Sequence, residues 1–132
     1  MGALVVVAFS QALAYLNKLG MKNIRKHEYE LTKYALNGLS KISGLEIYGS
    51  KDVKKRLGVI AFNINGIHAH DMATLLDEKG ICIRASHHCA MILHKKLNIS
   101  GSARASFYVY NTKNDIDKLV DGINYAKKVF GI

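Results

Sequence analysis

Arg84-Ala85-Ser86-His87-His88-Cys89 gathers a guanidinium, two imidazoles and a thiol within six residues, and a second arginine follows in Ala103-Arg104-Ala105-Ser106. A cysteine does covalent work as the thiolate, and neighbouring cations such as Arg84, or His87 and His88 when protonated, favour that form. Arg84 and Arg104 each stand at a predicted strand among apolar or small residues. That setting suits a guanidinium fork gripping a carboxylate better than a solvated surface charge. The residues describe a thiol beside an anion-binding arginine pair, suited to a small amino-acid-like substrate, and do not yet name a reaction.

Two other readings compete. Cys89 could be an inert thiol packed under a helix. His68, His70, His87, His88, Cys89 and His94 are also zinc-ligand types. The spacings of structural zinc motifs are missing, however, and the adjacent His87 and His88 are expected to point different ways, so no metal is expected. Cys82 lies between Ile81 and Ile83 and reads as a small buried apolar residue. Two cysteines are too few for a disulfide framework.

The elements that must hold this loop follow from periodicity. Ala3 to Leu19 reads as a helix stopped by Gly20. A second helix runs from about Asn23 to Ile42, with Ile24, Leu31, Tyr34, Ala35 and Leu39 near helical spacing and Gly44 ending it. Leu45 to Tyr48 is a short strand, and Leu57 to Ile64 a longer one that is apolar on both faces and hence central. Asn65-Gly66 is a turn, and His68 to Lys79 a helix ending at Gly80. Ile81 to Arg84 is then a strand that delivers the Cys89 loop, followed by a short helix over Ala90 to Leu97. Arg104 to Tyr110 alternates as another strand. Thr112 to Asp115 is close to a capping box for a last helix carrying Ile116, Leu119, Val120, Ile123 and Phe130 inward. Links this short cannot join only parallel strands, so the class is α+β with a mainly antiparallel sheet, in one domain over residues 1–132.

Composition narrows the setting. The 132 residues, 49% hydrophobic, can build a core. The 19 Lys and Arg against 10 Asp and Glu give +9, which suits anionic ligands, an acidic partner or simply a solvated basic surface. Only Lys51 to Arg56 forms a basic run, read as a connection between strands, so nucleic-acid binding is not expected. Met1 to Tyr15 is apolar but lacks a basic n-region and is interrupted by polar residues, which argues against a leader or a membrane span. A reducing, cytoplasmic setting is the expectation.

Three stretches in order, Asn65-Gly-Ile-His-Ala-His-Asp71, Arg84-Ala-Ser-His-His-Cys89-Ala-Met91 and Arg104-Ala-Ser-Phe-Tyr-Val-Tyr-Asn-Thr112, resemble the C-terminal part of group II (SufS-like) cysteine desulfurases, pyridoxal phosphate enzymes related to class V aminotransferases. The resemblance covers the chain from about Ala12 onward. It implies the small domain of a fold-type I enzyme, with Cys89 as the persulfide-forming cysteine, Arg104 binding the substrate carboxylate, Arg84 beside the site and His87 and His88 in support. In that family sulfur is mobilised from L-cysteine, as for iron–sulfur cluster assembly, and passes from the persulfide to an acceptor protein.

The same resemblance sets limits. The family's large domain carries the lysine, stacking histidine and acidic group that hold pyridoxal phosphate, and none of those motifs is in these 132 residues. The chain by itself is therefore expected to bind no cofactor and to be inactive without a large-domain polypeptide. Ser86 stands where the family has glycine, Ile92 where it usually has proline, and the first ten residues do not match its linker segment. A methionine start there suggests a truncated reading frame, a split gene or a small domain made on its own. The alternatives are a stand-alone sulfur carrier or interaction module, or an inactive remnant. Any homo-oligomer is expected to use the apolar N-terminal helix.

Overall fold

Helix α1 (Gly2–Leu19) and helix α2 (Met21–Leu39) meet at a 75° bend in the computed structural model, which describes residues 2–132. Gly20 makes the bend with φ 83°, a left-handed conformation that glycine adopts without a Cβ clash. Helix α2 lays Ile24, Leu31, Ala35, Leu36 and Leu39 into the core. It stops three residues short of the predicted end, where Ser40 to Gly44 turn towards the sheet. Helix α1 buries almost nothing: Leu4 is 78% and Phe9 63% exposed. No single helix among the described residues is long and apolar enough to cross a membrane.

The sheet has four strands, β1 (Leu45–Tyr48), β2 (Val59–Ile64), β3 (Arg84–Ser86) and β4 (Ser102–Ser106), in the order β1-β2-β4-β3 with every pair antiparallel. The α+β class and the antiparallel sheet are as the sequence predicts. Ile60, Phe62 and Ile64 of β2 and Ala103 and Ala105 of β4 turn towards α2, helix α3 (Ala69–Asp77) and helix α5 (Lys113–Val129). There they meet Leu39, Met72, Leu76, Ile116 and Ile123, all nearly inaccessible to solvent. Strand β2 is central, but the expectation of two apolar covered faces is corrected. Val59 is exposed and Ala61 half-buried, so the other face of the sheet is open.

Three strands shift from their predicted bounds, β2 by starting at Val59 rather than Leu57. Ile81 closes the end of α3, its N–H donating to the Leu76 carbonyl at 2.9 Å, and its side chain fills the space over Gly122 of α5. Residues 81–83 are thereby drawn off β4, leaving a groove of about 360 Å³, and the ladder starts only at Arg84. Cys82 faces solvent beside this groove, 4.0 Å from an Asp77 carboxylate oxygen, rather than lying buried. At the other end β4 stops at Ser106, because Tyr108 to Asn111 close a turn in which the Tyr108 N–H donates to Asn111 Oδ1 at 2.9 Å. Phe130 is exposed rather than inward.

The basic run forms the β1–β2 connection, as predicted. Asp52 caps a short 3-10 turn (Val53–Lys55) by accepting from the Lys54 N–H at 2.9 Å. Arg56 folds back to donate to the Tyr48 carbonyl, and Arg25 donates to the Arg56 carbonyl at 2.8 Å.

Candidate functional site

After Ser86 the chain reverses in a tight turn, closed by the Ala90 N–H donating to the His87 carbonyl at 2.8 Å. Both central residues have positive φ, His88 at 52° and Cys89 at 59°. Turns of this kind ordinarily use Asn-Gly, because a Cβ in the left-handed region costs roughly 1 kcal/mol or more. Two such residues in succession concentrate strain at the thiol. Cys89 is thereby lifted into solvent as an exposed free cysteine.

Helix α4 (Met91–Lys96) follows, and its single buried side chain is His94. The His94 ring takes Ala90 O with Nδ1 at 3.0 Å and Ser102 Oγ with Nε2 at 3.1 Å. A carbonyl can only accept, so Nδ1 carries the proton and Nε2 accepts from the serine hydroxyl. His88 Nε2 meets the Ser102 carbonyl at 2.9 Å and must donate to it, while His88 Nδ1 is buried with no partner among the described residues. His87 is exposed, its ring 5.5 Å from that of His94. His88 lies 6.0 Å from the same ring, half-buried where His87 is exposed.

The arginines come from the ladder. Arg84 pairs with Arg104, and Arg104 with Ala61, so both guanidinium-bearing residues sit on the open face of the sheet. Arg84 is exposed; Arg104 is half-buried, with Nε unpartnered. Asn63, two residues along β2 from Ala61, donates to the Gly101 carbonyl at 2.8 Å and leaves its buried Oδ1 free. His88 is held below the ordinary histidine range, first by burial and then by the neighbouring Arg104, Arg84 and His94, against the opposing effect of its bond to Ser102. A protonated His88 beside the thiol is therefore disfavoured, and the permanent positive charge at this end of the sheet belongs to the arginines.

Of the residues predicted from sequence, Arg84, Arg104, His88 and Cys89 share one end of the sheet, with His87 at its rim. His68 and His70 stack on each other at the head of α3, 5.4 Å between rings, with His68 capping the helix. Among the described residues no group of three His, Cys, Asp or Glu side chains could hold a metal ion. Ser102 and Asn63 escaped the sequence reading, and His94 entered it only as a ligand type. A buried histidine between Leu93 and Lys95 has no periodic signature.

Residues 3–119 match the family described as aminotransferase class-V. The match begins nine residues before the predicted start, so all of α1 but Gly2 lies within it. A protein named "Probable cysteine desulfurase" from Halalkalibacterium halodurans is 47% identical over 125 residues, which are 95% of this chain and 30% of that protein. Its namesake from Staphylococcus epidermidis is 50% identical over 125 residues, 94% of this chain and 30% of its own length. Among solved structures, the Escherichia coli cysteine desulfurase CsdA, in an S-sulfonic acid form, superposes with a TM-score of 0.86 at 35% identity, over 94% of this chain and 30% of that one. The apo cysteine desulfurase from Thermococcus onnurineus gives 0.82 at 36% identity, over 90% and 29%. The chain thus spans about 30% of the length of the curated relatives it matches.

Proposed function

The chain belongs to the aminotransferase class-V family, and on that premise we propose that it is the small-domain portion of a group II (SufS-like) cysteine desulfurase, in which Cys89 carries sulfur mobilised from L-cysteine. The observation that carries this reading is the strained turn presenting an exposed Cys89 just after β3, the strand in which Arg84 stands opposite Arg104 of β4. Non-glycine residues held in left-handed conformations cluster where geometry serves function.

In the reaction proposed for these residues, the Cys89 thiolate attacks the terminal sulfur of a sulfur donor. One S–S or C–S bond breaks, the donor's remainder leaves with the electron pair, and Cys89 is left as a persulfide. An acceptor thiolate then repeats the displacement and restores Cys89. Arg104, with a free Nε and half-buried against water, would grip a substrate carboxylate, and Arg84 would add charge from the neighbouring strand.

Pyridoxal phosphate supplies the electron sink for breaking the C–S bond of free cysteine when it is bound, and it requires a lysine for its Schiff base and a partner for its ring nitrogen. Arg84, Arg104, His88 and Cys89 supply neither a lysine nor a carboxylate. The residues at this site do not by themselves fit the cofactor, so it would be held by a large-domain polypeptide. The apolar, exposed α1 is the surface such a polypeptide would cover, a second copy of this chain being the other occupant. A reducing cytoplasm would keep Cys89 a thiol.

The experiment is mass spectrometry of the purified chain. Incubated with pyridoxal phosphate and L-cysteine alone it should yield no alanine; with a working desulfurase and L-cysteine, Cys89 should gain one sulfur atom, and a Cys89→Ser variant none. Failure of Cys89 to take up sulfur overturns the reading. Alanine formation restored by a separate large-domain polypeptide favours the desulfurase portion. Sulfur uptake without such restoration favours a stand-alone sulfur carrier, which the exposure of Cys89 also suits.

A further inference from the structure

Helix α4 is an odd element to anchor a reactive loop. Met91, Ile92 and Leu93 are 54%, 86% and 53% exposed, whereas His94 is 5% exposed. Apolar burial cannot hold this six-residue helix in place, since its one buried side chain is a histidine. What holds it is a set of hydrogen bonds converging on Ser102 of β4, itself 2% exposed.

The bonds bracket Cys89. On its N-terminal side, His88 Nε2 donates to the Ser102 carbonyl at 2.9 Å. On its C-terminal side, Ala90 O accepts the His94 backbone N–H at 3.1 Å and the His94 ring Nδ1–H at 3.0 Å, and the far side of that ring accepts from Ser102 Oγ at 3.1 Å. Both sequence neighbours of Cys89 are therefore tied to one buried serine, and the C-terminal tie runs entirely through His94. Ser102 is in turn fixed by pairing with Ser86, the last residue of β3 before the turn.

We propose that His94 is the positioning residue for Cys89: by linking Ala90 O to Ser102 Oγ it holds the thiol-bearing turn in its left-handed conformation against the strain of two non-glycine residues. The inference rests on the reading of Cys89 as the sulfur-bearing thiol. His94 does not touch the sulfur and acts only through the turn. Its loss would free the backbone to relax, and the thiol would leave the geometry in which it meets a sulfur donor, although a small alkylating reagent would still reach it.

The test compares wild type, His94→Leu, His94→Gln and Ser102→Ala as full chains, by amide hydrogen exchange and by sulfur uptake. Removing the ring's two bonds should speed exchange of the Ala90 N–H, which closes the turn, by about tenfold, the equivalent of one net hydrogen bond. Core amides of β2 should stay as slow as in wild type. His94→Gln, which keeps a donor and an acceptor, should recover part of the protection, and Ser102→Ala should lose it. Sulfur uptake at Cys89 should fall in His94→Leu while Cys82 alkylation holds. Nitrogen NMR of the wild-type ring should show the Nδ1–H tautomer. Unchanged Ala90 exchange, β2 amides that speed up equally, unaffected sulfur uptake or an Nε2–H tautomer each overturn the proposal. Should His94→Leu fail to fold, His94→Gln and Ser102→Ala decide by the same readouts. Absence of sulfur uptake in wild type would instead sink the reading of Cys89, while the exchange data would still report on the turn.

Discussion

Arg84 and Arg104 stand opposite each other across the β3–β4 ladder, on the open face of the sheet, and Arg104 Nε has no hydrogen-bond partner among the described residues. Like charges directly across a strand pair are destabilising, and the buried, unpartnered Arg104 Nε adds a desolvation cost. An anion between them would relieve both. A small carboxylate or sulfate at ten times its dissociation constant should stabilise the fold by about 1.4 kcal/mol, read as a rise in melting temperature. Arg104→Gln should abolish the rise. An equal rise in that variant would place the anion elsewhere.

The turn can be tested by its backbone alone. With φ of 59° at position 89, glycine should be tolerated better than alanine. Cys89→Gly should be more stable than Cys89→Ala by about 1 kcal/mol in denaturant unfolding. Equal stability would mean that the backbone there is not left-handed in solution.

His88 ties stability to pH. Its folded-state value lies below the ordinary histidine value of about 6.5, because burial and then Arg104, Arg84 and His94 oppose its protonation. The unfolded chain therefore binds the proton more readily than the folded one. Above about pH 6.5 both forms are neutral and nothing is lost. As pH falls from there through the folded-state value, stability declines, and below it the loss levels off. His88→Gln should flatten that part of the stability profile. A wild-type profile that rises on acidification through this window would contradict the assignment.

Gly58 sits where β2 meets the end of β4. Its carbonyl accepts from the Phe107 N–H at 2.6 Å, and a Cβ at position 58 would collide with the Phe107 backbone carbonyl. Backbone cannot swing aside as a side chain can, so Gly58→Ala should cost about 2 kcal/mol and spread to β4. A chevron or melting curve matching wild type would show that the two strands part easily.

Much of this arrangement is legible in the residues, and the failures have identifiable causes. Alternation in β2 and the helical stripe of α5 locate the core, because a two-residue or 3.6-residue period survives any tertiary context. Strand β3 is misplaced because Ile81 and Ile83 look like ladder residues, whereas Ile81 is committed to α3 and α5, which leaves Cys82 in the open. The left-handed turn is invisible because Ser-His-His-Cys contains no glycine to announce it. The arginine pair and the thiol could be singled out from their types and setting. The serine and histidine that hold them could not be, since Ser102 and His94 are unremarkable until Ala90, His88 and Cys89 are folded around them.

Strand alternation gives Arg104 a second consequence. The same two-residue period that turns it to the open face turns Ala103 and Ala105 into the core, at 1% and 3% exposure. A slip of β4 by one residue against β2 would force the guanidinium in among Phe62 and Ile60, where an unpaired charge costs several kcal/mol. Arg104 would thus also penalise the misaligned sheet during folding. Replacing it with an apolar side chain would remove the penalty and let both alignments form, so loss of the ligand site and loss of a unique sheet should arrive together.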